Sequence, residues 1–454
     1  MTKTGHHCPP VPVSASSRPP DGGTRTGAPG TVRLGWLDAL RGLAALTVAF
    51  HHGTARFTPA FHNDMLAWFD PGFAGVLVFF LVSGYIIPAS LERTGSLRRF
   101  WISRAFRIYP LLLVALGATL LLNPVVTTLA PGRWDAFDPA TLIVSHLTML
   151  QDLLAVPSAI GPLWTLSYEM VFYFLATAFF AVGLHRRSAA ISLSFALTAV
   201  VLGGVLPSAA ALASFGLPVD KVVLATGVTF VLAIGLACAP HPGLRRAGTM
   251  LGATVGLGLL LFNARVPAWE GLIILAVMFL GTAIYRAEQR QAGRRFVAIT
   301  IGVVFTSACG LGVVHLSAWG SWTTDWAVRR AWLTAVIVTA VAFAIGYALR
   351  RRTMPASFVW LGTISYSVYL LHPMLLLILK TIIAPTGTDQ WVLMTVFTAL
   401  LLPVCHLTQR WVEAPAQRLG RRLARRADSP SAGPGLAAAA PGPELAMAGT
   451  SERS

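Results

Sequence analysis

The chain has 454 residues, of which 55% are hydrophobic and only 12% are charged. Together with a mean hydropathy of +0.66, this composition excludes an ordinary soluble protein and indicates an integral membrane protein. The formal net charge of +17 also occurs among nucleic-acid-binding proteins, so the positions of the cations must distinguish the two classes.

Apolar runs of about 20 residues, the length that crosses a bilayer, recur along almost the whole chain. They predict an all-α, polytopic membrane helical bundle of about 10–12 transmembrane helices. A further stretch, 141–156, has the composition of a segment that dips into the membrane. We predict spans near 34–54, 72–90, 108–126, 162–184, 188–206, 220–238, 248–262, 267–285, 296–314, 331–349, 358–383 and 390–409.

The cations are concentrated in alternate connections between these spans, whereas the intervening connections hold only scattered cations such as Arg56 and Arg133. This is the positive-inside pattern, which predicts cytoplasmic N- and C-termini. A membrane topology explains the charge, so we expect no nucleic-acid partner. The arginine-rich connections contain Arg93 to Arg107, Arg186 and Arg187, Arg245 and Arg246, Arg286 to Arg295, Arg350 to Arg352, and Arg410 to Arg426.

The two ends differ in composition from the rest of the chain. Residues 1–33 are rich in Pro, Gly, Ser and Thr, and the chain after the last span turns into an Arg-, Ala- and Pro-rich segment. Such segments cannot bury a core, so we predict disordered cytoplasmic tails at 1–33 and 421–454 around one transmembrane domain at 34–420. The four cysteines show no paired spacing typical of zinc or redox sites, and we expect no metal.

The first predicted span carries three ionisable groups in the stretch RGLAALTVAFHHG, residues 41–53. At about 100° per residue, Arg41 and His52 lie within about 20° of one helix face, whereas His51 points about 80° away. Asp38 falls on the same face and is close enough to neutralise Arg41. Ionisable groups at this depth usually face the protein interior and mark function, although a histidine there also serves as a hydrogen-bonding link between helices.

Residues 36–53, WLDALRGLAALTVAFHHG, resemble the first helix of the acyltransferase 3 family, whose membrane O-acyltransferases carry an LDxLRG start and an arginine followed eleven residues later by a histidine. Five further matches to the family follow in its order and extend the resemblance over about 34–420. They are GVLVFFLVSGYII at 75–87, RAFRIYP at 104–110, WTLSYEMVFY at 164–173, SYSVYLLHP at 365–373 and WVEAP at 411–415.

The resemblance implies transfer of an acyl group, acetyl first, from cytoplasmic acyl-CoA to a hydroxyl group, with acyl-CoA as co-substrate and no permanently bound cofactor. Acyl transfer needs a base for the hydroxyl proton and donors for the tetrahedral oxyanion. We expect His52 to be the base, or alternatively the group that itself takes the acyl chain. We expect Arg41 and Asp38 to shape the cytoplasmic mouth, and Glu169, an acid within a predicted span, to belong to the site.

Arg104 and Arg107 lie one helical turn apart and present two guanidinium groups to one side, an arrangement that suits phosphate oxygens. The resemblance implies that they bind acyl-CoA, and the alternative is two more positive-inside arginines. Tyr369 and His372 share a helix face, and Tyr366 belongs to the same family motif. We expect these three side chains to line the acceptor side or to form structural hydrogen bonds between helices.

We expect the acceptor to be a carbohydrate or glycolipid of the cell surface, or alternatively a glycosylated metabolite, and the location to be the bacterial cytoplasmic membrane among its lipids. We expect no hydrolase-like domain after the last span, so that the protein either completes the transfer itself or hands over to a separate partner chain. The oligomeric state is open. A multi-span transporter or flippase is the alternative from another class. It predicts inverted repeats, whereas the six motifs all differ from one another.

Overall fold

The computed structural model describes residues 34–122, 134, 136–205, 216, 218–261, 266–317, 324–382 and 389–428. The regular elements within these ranges are all helices, so the predicted all-α fold is confirmed. The predicted tail 1–33 lies outside the described residues, as does 429–454.

Several of the helices begin or end at a capping residue. Asp70 accepts from the backbone N–H of Phe73 at 2.9 Å at the start of the third helix, and Gly95, at φ +64°, ends it. The first seven helices are α1 (Gly35–Phe57), α2 (Pro59–Leu66), α3 (Pro71–Thr94), α4 (Leu97–Leu121), α5 (Pro139–Thr148), α6 (Leu163–Ala181) and α7 (Ser188–Leu202).

The described residues of the second half of the chain also form helices. A π-helical turn, Gln409–Glu413, joins the last two helices. The first residues of the predicted C-terminal tail, 421–428, are helical, because the last helix extends to Asp428. These helices are α8 (Val219–Ala237), α9 (Pro242–Leu261), α10 (Ala268–Glu288), α11 (Arg294–His315), α12 (Asp325–Ala348), α13 (Ala356–Ile382), α14 (Gln390–Thr408) and α15 (Ala414–Asp428).

Nine helices within the described ranges are long and apolar enough to cross a membrane: α3, α4, α6, α8, α10, α11, α12, α13, and α14 with its continuation. The other three predicted spans are also helices, α1, α7 and α9, but they are not among these nine. The stretch 141–156 forms the short helix α5 and a 3₁₀ turn, Gln151–Leu154.

Helix α1 packs between α13 and α3, and its backbone comes very close to that of α13. A Cβ atom on Gly362 would lie 2.3 Å from the carbonyl oxygen of Asp38, and one on Gly42 would lie 2.6 Å from Cβ of Leu361. Small residues allow membrane helices to approach in this way. This contact fixes which side chains of α1 face α13.

Helices α3 and α10 make a similar close contact farther along α3. A Cβ atom on Gly84 would lie 1.7 Å from the carbonyl oxygen of Met278, and one on Gly281 would lie 2.2 Å from that of Leu81. The hydroxyl of Thr282 donates to the carbonyl oxygen of Gly84 at 2.7 Å. Gly84 in the motif at 75–87 therefore serves close helix packing.

The end of α10 carries ion pairs to its neighbours. Arg286 pairs with Glu92 of α3 and is 1% exposed, and Arg350 donates to Glu288 at 2.8 Å. The sequence grouped Arg286 with the cations of a connecting loop, but the structure places it inside α10 with a carboxylate partner. A buried arginine is stable there because its charge is neutralised within the bundle.

We predict that Gly84→Ala destabilises the protein, because the new methyl group must displace the backbone of α10. Overpacking of this kind costs about 1–3 kcal/mol. Thermal unfolding in detergent would measure the change. The matched control is Gly302→Ala in α11, where a Cβ atom meets nothing within 4 Å; it should shift stability by less than about 1 kcal/mol, in the stabilising direction. Equal unfolding midpoints for the two variants would contradict the assigned packing.

Candidate active site

A cleft of about 640 Å³, including its open side, lies among α1, α3, α4, α6 and α13. Its wall combines apolar side chains such as Val76 and Phe79 with an unusual number of polar ones. Five of the residues predicted for the site are brought together there, from four different helices. The polar wall contains Arg41, Ser83, Arg107, Thr165, Glu169, Tyr173, Ser365, Tyr366 and Tyr369.

Arg41 enters the cleft from α1 and is held by two polar groups. Its guanidinium donates to the hydroxyl of Ser365 on α13 at 3.3 Å, and a second nitrogen lies 3.7 Å from Oδ1 of Asp38. Its side chain remains 17% exposed. The predicted pairing of Asp38 with Arg41 is thus present, and a guanidinium face remains on the cleft.

Glu169 lies on the cleft wall, within the span α6, and is paired by a neighbour on its own helix. The hydroxyl of Tyr173, one turn later, donates to its Oε1 at 2.6 Å. A carboxylate within a membrane span is costly unless it has a partner or faces a polar cavity, and Glu169 has both. Tyr173 was missed, although its spacing of four residues from Glu169 already placed the two on one face.

The two arginines of the RAFRIYP motif have different surroundings. Arg107 lies on the cleft wall. Arg104 is 6% exposed, and its guanidinium carbon lies 5.4 Å and 5.6 Å from the ring centroids of Phe100 and Tyr173. Its Nε finds no hydrogen-bond partner among the described residues. The motif therefore supplies one cation to the cleft and one cation packed against the aromatic rings behind it.

Tyr366 and Tyr369 connect α13 to the opposite walls of the cleft. The hydroxyl of Tyr366 donates to the backbone carbonyl of Ile108 on α4 at 3.0 Å. The hydroxyl of Tyr369 lies 2.9 Å from Oγ1 of Thr165 on α6. Both tyrosines thus link helices while their rings line the cleft.

His52 lies beyond this wall, about 16 Å farther along the axis of α1 than Arg41 at 1.5 Å per residue. Its Nδ1 is 3.0 Å from the carbonyl oxygen of Val48 and 3.1 Å from Nε2 of His372. The ring of Tyr369, which lines the cleft, has its centroid 6.2 Å from that of His372. Tyr369 and His372 therefore connect the end of the cleft to His52.

His51 points to another helix, as the helical geometry predicted. Its Nδ1 lies 3.3 Å from Oδ1 of Asp70, within ion-pair distance but misaligned for a hydrogen bond, and its ring packs on Gly72, where a Cβ atom would lie 2.7 Å away. The ring centroid of His62 is 4.9 Å from that of His51. Neither Asp70 nor His62 was predicted from the sequence, because both lie between predicted spans and outside any motif.

Asp70 precedes the span α3, and burial raises the pKa of its carboxyl group above the ordinary value. The hydrogen bond from the Phe73 N–H opposes this shift.

Glu413, from the closing motif, is 3% exposed and accepts a short hydrogen bond from the Ser367 hydroxyl. In the part of the chain that the structure describes, no group of three or more His, Cys, Asp or Glu side chains is arranged to hold a metal ion.

Comparison with known proteins identifies relatives that are named as acyltransferases. A putative peptidoglycan O-acetyltransferase, YrhL of Bacillus subtilis (strain 168), is 24% identical over 404 residues, which are 85% of this chain and 55% of that protein. Acyltransferase MdmB of Streptomyces mycarofaciens is 34% identical over 160 residues, 32% of this chain and 38% of that protein.

Peptidoglycan O-acetyltransferase OatA of Listeria monocytogenes is 29% identical over 161 residues, 32% of this chain and 24% of that protein. The chain thus spans about half the length of the first of these relatives and less of the others. No solved structure matches significantly. The model of the acyltransferase 3 family, described as an acyltransferase domain, matches residues 34–410, and the chain therefore belongs to this family.

Proposed function

We propose that the protein transfers an acyl group, acetyl first, from cytoplasmic acyl-CoA to a hydroxyl group of a carbohydrate or glycoside, with His52 as the general base. Family membership supports the acyl transfer. The observation that carries the proposal is the convergence of Arg41, Arg107 and Glu169 on one cleft, whose wall at Tyr369 leads to the imidazole pair of His372 and His52.

The donor side of the proposal uses the cations of the cleft. Guanidinium groups bind phosphate oxygens through charge-assisted, often bidentate, hydrogen bonds. We assign Arg107 to the phosphates of acyl-CoA, which approaches from the cytoplasmic end of α4, and the long, slim pantetheine arm to the cleft itself. Arg104 supports this region from behind through the ring of Tyr173. The thioester then reaches the level of His52 along α1.

The chemical step requires a base and an oxyanion site. His52 removes the proton from the acceptor hydroxyl, and the oxygen forms a bond to the thioester carbonyl carbon. We assign the hydroxyl of Tyr369, whose ring lies beside His372, to the oxyanion, toward which it turns from its contacts with Thr165 and the carbonyl oxygen of Pro162. Collapse of the tetrahedral intermediate breaks the C–S bond, and the thiolate takes the proton from His52, which regenerates the base and releases CoA.

The acceptor class rests on the relatives, two of which carry peptidoglycan O-acetyltransferase in their names. We therefore propose a carbohydrate polymer of the cell envelope as the first acceptor to test, with the protein in the bacterial cytoplasmic membrane. If the acceptor lies too far from the helical bundle for direct transfer, we propose that a separate partner chain completes the transfer.

We predict that His52→Ala abolishes acyl transfer, because a positioned general base contributes about 10²–10⁴ in rate. The measurement supplies labelled acetyl-CoA to membranes that contain the parent or the variant, and follows label in alkali-labile esters. His51→Ala is the matched control: it removes the same side chain from the next position, where it faces Asp70, and should lower the rate by less than about tenfold.

Equal labelling by the parent and His52→Ala would contradict the assigned base. Movement of a carbohydrate or lipid-linked substrate across the membrane without any acyl donor would instead favour the transporter. Extraction of the labelled product identifies the acceptor in the same experiment.

We predict that Arg107→Ala raises the KM for acetyl-CoA about 10- to 100-fold, since hydrogen bonds to charged groups contribute about 1.5–3 kcal/mol. The kcat should change less, because Arg107 is assigned to donor binding and not to the reacting atoms. Arg98→Ala is the control, an exposed arginine of the same helix that contacts the backbone of Ala427. Identical KM values for the two variants would exclude the proposed phosphate contact.

A further inference from the structure

The imidazoles of His52 and His372 meet across the contact between α1 and α13, with ring centroids 5.0 Å apart. Each ring also places its Nδ1 on a carbonyl of its own helix one turn earlier. The distance is 3.0 Å from His52 to Val48 and 2.9 Å from His372 to Val368. The two rings are joined by Nδ1 of His52 and Nε2 of His372, at 3.1 Å.

These contacts determine which nitrogen of His372 carries a proton. A carbonyl oxygen only accepts hydrogen bonds, so Nδ1 of His372 must be the donor to Val368. The side chain of His372 is fully buried, and a second proton would place a charge in the apolar interior at considerable cost. His372 is therefore neutral, and its Nε2 presents a lone pair to His52.

The same logic determines the protonation of His52. Its Nδ1 lies between two acceptors, the carbonyl oxygen of Val48 and the lone pair of His372, and must carry the proton that both accept. In the neutral ring the other nitrogen, Nε2, then holds the lone pair. No residue among those described hydrogen-bonds to this Nε2, and it is not one of the buried, unpartnered nitrogens. Nε2 is thus the nitrogen open to a substrate.

We propose that His372 is a positioning residue: together with the carbonyl oxygen of Val48 it accepts from Nδ1–H of His52, and it so holds the ring in the orientation in which Nε2 is the base. This inference rests on the proposed function of His52. During transfer, the acceptor O–H bond breaks as the Nε2–H bond forms, and this proton later passes to the thiolate of CoA. The Nδ1 proton stays in place throughout, directed at His372 and Val48. His372 keeps the same protonation state from start to finish.

A neutral imidazole is a suitable acceptor at this position. In Ser-His-Asp triads an aspartate fixes the tautomer of the histidine and stabilises the imidazolium. A carboxylate in the place of His372 would bring a full charge into the apolar interface of α1 and α13, which contains the buried Val368 and Ala49. The imidazole of His372 supplies the lone pair without that charge, and its own Nδ1–H remains satisfied by α13.

The test compares His372→Gln with His372→Met. Both side chains have about the length of the path from Cβ to Nε2 in histidine, but only Gln ends in an oxygen that accepts from Nδ1–H of His52. Loss of the partner that orients a metal-bound histidine lowers activity about 10- to 100-fold, and we take the same range for the partner of His52. We therefore expect His372→Met to lower the kcat of labelled acetyl transfer by that factor with the KM for acetyl-CoA within about threefold, and His372→Gln to stay within about fivefold of the parent.

A spectroscopic measurement on the full chain tests the tautomer directly and does not depend on turnover. In protein labelled with ¹⁵N-histidine, the His52 resonances are identified by their loss in His52→Ala. We expect the Nδ1–H form in the parent and in both variants, because the carbonyl oxygen of Val48 accepts from it in all three, and a shifted Nδ1 resonance of His52 in His372→Met, where the second acceptor is lost. An Nε2–H form in the parent, or an equal loss of kcat in the Gln and Met variants, would overturn the proposal.

The outcomes separate this inference from the proposed function. If His52→Ala transfers label as well as the parent, the assigned base is wrong, whatever the tautomer. If His52→Ala is inactive while the Met variant matches the Gln variant, only the role of His372 is wrong. Thermal unfolding of both His372 variants in detergent distinguishes a loss of fold from a loss of positioning. If the Met variant unfolds, the tautomer of His52 in the parent spectrum still tests the proposal.

Discussion

The close crossing of α1 and α13 is the contact on which the site depends. Gly42 and Gly362 bring the two backbones together, and two polar links then follow in the same order along both helices, Arg41 to Ser365 and His52 to His372. A shift in register by one residue would rotate these side chains away from each other by about 100°. One helix interface thus sets the positions of both Arg41 and His52.

The sequence predicts the fold class and much of the site because both depend on patterns within single helices. Apolar runs indicate the bundle, and each of the twelve predicted spans is a helix. The spacing of eleven residues places Arg41 and His52 on one face, and both indeed face α13. The same reasoning separates His52 from His51, which packs on α3 instead.

The contacts between helices could not be predicted from the sequence, since periodicity identifies the buried face of a helix but not the helix that packs on it. The partnership of His52 with His372 and the aromatic surroundings of Arg104 are of this kind. Arg286 illustrates the same limit, because an arginine at the end of a span resembles a loop cation until its carboxylate partner is known. Helix α15 continues into the segment that was predicted to be a disordered tail. The arginine-rich composition of this segment gives no sign that α15 packs on α4.

The link between Arg41 and Ser365 joins residues 324 positions apart in the chain, which has a consequence for biosynthesis. When α1 leaves the ribosome, the nearest partner of its arginine is Asp38; an arginine at the centre of a bilayer helix costs about 2.5–3.5 kcal/mol on insertion scales, which is an upper limit for Arg41 in the second turn of α1. The hydroxyl that it bonds, and the imidazole that meets His52, are synthesised only with α13. The polar face of the amino-terminal helix is therefore complete only after most of the chain has been translated.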